Sequence, residues 1–255
     1  MTIDWAAVFA DAWERWKRDR QLLLPLAGLF LFLPQFAFYL LASPLPDLPA
    51  SAGDDVQALL APGSPLVVWM THNAPGMLAS VLVMAFGSVA VLTLYLDEGG
   101  GHTLGGALRR ALTLYPRYLL AMIVAGMPAA PVELGLLVLV IPCLYLLGRL
   151  MLTGAALAAE RPIGVGAAIA RSFALTRRRG LVMMGLAALA LIVAMLAPAP
   201  FRLLRDSLQG AGGANPVAVA IAEALGSGLA AAVALATALV QVSLYRRLSA
   251  ASSGI

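Results

Sequence analysis

The sequence predicts an all-α polytopic membrane protein, with about six transmembrane helices and amphipathic helices lying at the cytoplasmic interface. Three observations carry that expectation. Hydrophobic residues make up 61% of the chain and charged residues 12%, with a mean hydropathy of +0.89, where a soluble domain has about 45–50% and about 25%. The apolar residues gather into stretches of membrane-crossing length, about 20 residues. The cations stand between those stretches, nearly all on one side of an alternating topology.

Taken in order, residues 1–20 read as an amphipathic cytoplasmic segment, with Trp5, Phe9, Trp13 and Trp16 on one helical stripe. The first span runs from about Gln21 to Ala42, with Pro25 near its start and Pro34 placed to kink it. It exceeds the roughly 7–15 apolar residues of a signal-peptide core, so it is expected to stay as a span. Residues 43–72 form an outer loop, irregular apart from a short helical turn around Asp55 to Leu60. The second span, Gly76 to Leu96, follows Asn73-Ala74-Pro75 and stops at Asp97-Glu98. Gly99-Gly100-Gly101 beyond it lacks the Gly-Lys-Ser/Thr of a P-loop and reads as a flexible stop.

The apolar tract from Pro116 to Ala159 is too long for one span and predicts a hairpin, residues 116–132 and 134–159. Its turn falls near Pro128-Ala129-Ala130-Pro131 and Glu133, with Pro142 as a competing break. The fifth span, Leu181 to Ala197, is stopped by Pro198 and Pro200. The sixth, Pro216 to Leu244, is closed by Arg246-Arg247. Along it Ala218, Ala222, Gly226, Ala230 and Ala234 recur every fourth residue, a spacing that lets helices approach closely.

With the N-terminus in the cytoplasm, fourteen of the seventeen basic residues fall on the inner side. Only Arg202 and Arg205 fall outside, and Arg149 lies within the fourth span. The asymmetry predicts an even number of crossings with both termini cytoplasmic, and the preponderance of arginine over lysine with the many alanines reads as bacterial, hence an inner membrane. The partners implied are membrane lipids, anionic ones above all, rather than nucleic acid. The single cysteine, Cys143, excludes an internal disulfide and multi-cysteine metal centres. His72 and His102 stand isolated on opposite sides, so no histidine-based metal site or triad is expected, and no cofactor is implied.

Three approach sequences align without gaps ahead of the odd-numbered spans: Ala12-Trp13-Glu14-Arg15, Ala107-Leu108-Arg109-Arg110 and Ala168-Ile169-Ala170-Arg171. They suggest a threefold unit of interfacial helix followed by a transmembrane hairpin. Near the third copy the positions Arg149, Glu160, Ala168, Arg171, Ser172, Leu175, Thr176 and Arg177 form a short motif. It resembles the signature of the glycerophosphoryl diester phosphodiesterase membrane-domain family and of related uncharacterised six-helix bacterial membrane proteins. The motif covers about thirty residues, and Ile141-Pro142-Cys143 departs from the Ile-Pro-Gly frequent there. The resemblance implies the membrane fold alone, since no phosphodiesterase domain is expected in the eight residues between Arg247 and Ile255.

The candidate site residues are therefore Arg149, Glu160, Arg171, Ser172, Thr176 and Arg177, holding either an anionic headgroup or the structure itself. A mid-membrane arginine needs a partner or water. Glu160, Glu223 and Glu133 are the carboxylates available to it. No catalytic constellation is legible. The expected function is non-enzymatic: lipid binding, lipid transport or support of envelope assembly. Two alternatives stand beside it, a partner subunit of another membrane protein and a membrane-embedded lipid-modifying enzyme.

Overall fold

The computed structural model describes residues 4–43, 46, 56–59, 61–96, 104–127, 137–160, 162–177, 179–210 and 215–253. Every regular element among them is helical. The turn around residues 128–131, Glu133, Asp97-Glu98, the three glycines after them, His102, Arg161 and Arg178 lie outside the described residues.

Helix α1 spans Trp5–Ala27 and starts at Asp4, whose carboxylate accepts from the backbone N–H of Ala7 at 3.1 Å. It bends at Asp19, where the backbone leaves helical geometry at φ −109° and ψ 15°. The boundary expected near residue 20 is thus a kink inside one rod. A π-helical turn, Gly28–Phe32, follows and leads into α2, Leu33–Leu41. Pro34 explains it: proline has no N–H for the carbonyl four residues back, its ring crowds that carbonyl, and a wider turn relieves both. Gly87 lies against this turn, and a β-carbon there would sit 2.6 Å from Phe30 Cβ.

After the short α3, Val56–Leu59, helix α4 runs from Pro65 to Leu96. The second span therefore begins eleven residues before Gly76, and residues 65–72 are helix rather than loop. Pro75 sits within it. Helix α5, Leu104–Gly126, contains both the second amphipathic segment and the described part of the third span in one piece. The fourth span is divided into α6, Leu137–Leu150, and α7, Thr153–Ala159. Only the third approach sequence forms a separate helix, α8, Val165–Thr176. The expectation of three independent interfacial helices is corrected accordingly.

Helix α9, Gly180–Leu196, matches the fifth span closely, and an unexpected helix α10, Ala199–Gly210, follows. Pro198 and Pro200 account for both, because a proline that stops one helix is tolerated in the first turn of the next. Helix α11, Pro216–Ser253, continues past Arg246-Arg247, nine residues beyond the expected end. Continuous or nearly continuous helix makes five stretches long and apolar enough to cross a membrane, among the described residues. The third expected span, in α5, is not among them, because this 23-residue helix includes Arg109, Arg110 and Arg117.

The core is built where α4, α7 and α11 meet α1 and α5, with Val89, Leu92, Leu157, Val242 and Leu244 fully buried. Phe30, Phe86 and Tyr115 form an edge-to-face aromatic chain through it, and Tyr115 donates to the carbonyl of Leu82 at 2.7 Å. Arg247 donates to the carbonyl of Ala7 at 3.0 Å, so the first and last helices share one end of the bundle. At the opposite end Asn73 and Trp69 of α4 hold Ser43 by three hydrogen bonds.

Candidate functional site

Arg149 lies in the last turn of α6, one residue before the break, and is 8% exposed. Its two terminal nitrogens donate to the carbonyls of Thr176, at 2.7 Å, and Phe173, at 2.9 Å. Those carbonyls belong to the last turn of α8, where four are left without intrahelical partners and carry the negative end of the helix dipole. The guanidinium also stands over the rings of Phe173 and Tyr145, at 4.9 and 5.9 Å. Arg149 closes the buried C-terminus of a neighbouring helix. Of the three carboxylates considered for it, Glu160 and Glu223 pair with Arg171 and Arg205, and Glu133 lies outside the described residues.

Ser172 and Thr176 belong to the same joint. Ser172 donates to the carbonyl of Arg149 at 2.7 Å, Thr176 donates to that of Ser172 at 2.7 Å, and both side chains are fully buried. The adjacent Gly148 sets the approach of α6 to α9: a β-carbon there would lie 2.5 Å from the backbone carbon of Met183 and 2.6 Å from its oxygen. Sequence spacing does not announce this joint, because the capped carbonyls are backbone and belong to any residue type.

Glu160 meets Arg171, not Arg149. Arg171 Nε donates to Glu160 Oε1 at 2.5 Å, and the Tyr245 hydroxyl of α11 donates to the same oxygen at 2.7 Å. Arg177 is exposed at the end of α8, its backbone N–H turned to the carbonyl of Ala174. Of the six candidates, three form the buried joint, two form an ion pair and one faces outward.

The rest of this end is similarly occupied. Asp11 takes Arg15 through three hydrogen bonds of 2.9 to 3.3 Å. Asp19, at the kink, accepts from Arg18 at 3.1 and 3.2 Å and from the Tyr95 hydroxyl at 2.8 Å. Burial pushes the Asp19 carboxyl up, and the bonds from Arg18 and Tyr95 outweigh it, so it is held below the usual carboxylate range. Arg246 donates to the carbonyl of Tyr95, repeating at the end of α4 what Arg149 does at the end of α8.

A different kind of site lies between the helices. Two chambers, of about 330 and 390 Å³, share Tyr118, Ala190, Thr237 and Gln241 as walls. The smaller lies between α5, α7 and α9, walled mainly by alanine, methionine and leucine. The larger runs from Leu92, Tyr118 and Gln241, on the side of the chain termini, to Gln35 and Arg202, on the opposite side. None of the described lining residues is a carboxylate, an imidazole or a thiol. Gln35 Oε1 and Thr153 Oγ1, on residues of these walls, are packed within the protein without a hydrogen-bond partner among the described residues. Arg202 stands over the Tyr39 ring at 5.1 Å, whereas its neighbour Arg205 pairs with the buried Glu223 at 3.6 Å. Sequence reading misses the cleft because its polar residues are spread over six helices; Gln35 and Gln241, amides within apolar runs, are the one signal available.

The class these features define is a bundle of long apolar helices around a polar-lined cleft. No protein-family model, curated protein or solved structure matches the chain.

Proposed function

We propose that the chain is a non-enzymatic integral membrane protein of a bacterial inner membrane that binds lipid in the cleft between α5, α9 and α11. The observation that carries the reading is the cleft itself: hydroxyls and amides from Tyr118, Thr237 and Gln241 stand where two chambers adjoin inside an otherwise apolar bundle. The Thr237 hydroxyl donates to the carbonyl of Val233 at 2.8 Å, and the Gln241 amide in such a place needs a partner. An amphiphile supplies both the polar atoms and the apolar remainder. Lipid transport and support of envelope assembly are the uses such binding serves, and the partial resemblance to the glycerophosphoryl diester phosphodiesterase membrane domain agrees with a lipid environment.

Both termini belong on the cytoplasmic side in this reading, since the arginine-rich end contains both. A reporter fused after Ile255 is expected to be active inside the cell. The binding test is native mass spectrometry from gentle detergent. Ala190→Phe places a bulky ring in the wall common to both chambers and is expected to strip retained lipid while leaving helicity and elution unchanged. Arg171→Gln, which alters a cation held by Glu160, is expected to leave retention unaltered. Retention that survives Ala190→Phe in folded protein overturns the reading.

A further inference from the structure

Resting on that reading, we infer that the larger chamber takes the head of an anionic phospholipid, with its phosphate at Arg202 and its remaining polar atoms at Gln35, Thr237 and Gln241. Arg202 belongs to the end of the bundle poorest in arginine. Six of the other cations are already engaged. Arg149 and Arg246 close helix ends, and Arg15, Arg18, Arg171 and Arg205 face carboxylates. Arg202 lines the chamber and its described partner is an aromatic face, which leaves the in-plane N–H donors of the guanidinium for an acceptor. A phosphate matches that fork as a bidentate acceptor.

The chamber supplies the rest of the recognition. The amide of Gln241 lines the same space, as does the hydroxyl of Thr237, which donates to the carbonyl of Val233 at 2.8 Å and keeps its oxygen as an acceptor. A head that bears hydroxyl groups beside its phosphate provides donors to those oxygens. With no carboxylate among the described lining residues, a zwitterionic head brings an ammonium for which the walls offer no counter-charge. The acyl part is left to the smaller chamber, whose walls Met122, Leu147, Leu150 and Leu191 are apolar. The chemistry is that of a polyol phosphate diester lipid.

The test uses the full chain in nanodiscs of equal parts phosphatidylglycerol and phosphatidylcholine, with retained lipid read by native mass spectrometry after release. Wild type is expected to retain phosphatidylglycerol several-fold over phosphatidylcholine. Arg202→Gln is expected to bring that ratio close to one at unchanged total lipid, Arg202→Lys to keep most of it, and Arg177→Gln, at an exposed cation of the other end, to leave it alone. Equal retention by wild type, or a preference that survives Arg202→Gln or falls with Arg177→Gln, overturns the inference while the cleft reading stands. Unchanged total lipid in Ala190→Phe overturns the reading itself. A phosphatidylglycerol photoactivatable at its head keeps the question open to the wild-type protein alone: labelling on α10 is expected, and labelling on α8 contradicts the site.

Discussion

The two ends of the bundle use arginine differently. At the end shared by the chain termini, five guanidinium groups are engaged by the protein: Arg149 and Arg246 finish helices, and Arg15, Arg18 and Arg171 take carboxylates. Toward the other end there is one buried ion pair, Arg205 with Glu223, and Arg202 lines a cavity. Density of charge therefore marks orientation, whereas a guanidinium that lines a cavity marks a place for a ligand. The two properties separate in this molecule, and changes at either end test the separation.

The largest expected effect is at the first end. Arg149→Met removes the guanidinium donors from the carbonyls of Phe173 and Thr176, leaving them the Thr176 hydroxyl at 3.4 Å and the Arg179 N–H at 2.9 Å, and is expected to cost about 3 kcal/mol, read as a lowered melting temperature in detergent. Arg149→Lys, a point charge without the fork, recovers only part of it. If Arg149→Met instead removes bound lipid at unchanged stability, the arginine is a ligand site and the contrast between the ends fails.

Next comes the crossing beside it. Gly148→Ala pushes a methyl into the backbone of Met183 and is expected to cost about 2 kcal/mol by overpacking, with α6 and α9 forced apart. Hydrogen exchange should then rise in both helices. Unaltered exchange and stability contradict the closeness of that crossing.

The ion pair between Glu160 and Arg171 carries less, because both side chains are 34% exposed. Glu160→Gln is expected to cost less than about 1 kcal/mol, measured by thermal melting, and a loss of several times that shows a buried role for the pair.

Smallest is the pH effect at Asp19. Its folded carboxyl titrates below the unfolded one, so its contribution is complete above about pH 4 and fades as pH falls through the lower folded value. The difference in melting temperature between wild type and Asp19→Asn should therefore shrink between pH 6 and pH 3. A constant difference places the stabilisation elsewhere.

How far the fold is legible depends on what stops each helix. The end of α9 is readable because Pro198 and Pro200 act through the chain's own backbone, and the break near residue 20 because the apolar run begins there. The start of α4 is not, since Pro75 suggests a beginning and the helix runs through it. Helix α10 is missed because its proline pair reads as a stop alone. The pairing of Glu160 with Arg171 and the capping by Arg149 depend on how α7 and α8 fold back, which no spacing conveys. Arg149 stands out in sequence as a charge in an apolar run, which marks the position without revealing that its partners are backbone atoms.

The most direct measurement is crosslinking with a phospholipid that has a photoactivatable group in its acyl chain, followed by peptide mapping on the wild-type protein. Labels are expected on the cleft faces of α5, α9 and α11, around Met122, Ala190 and Thr237, and to disappear in Ala190→Phe. Labels confined to outward-facing positions such as Leu41, Leu181 and Ile141, and indifferent to Ala190→Phe, would show that lipid only surrounds the bundle.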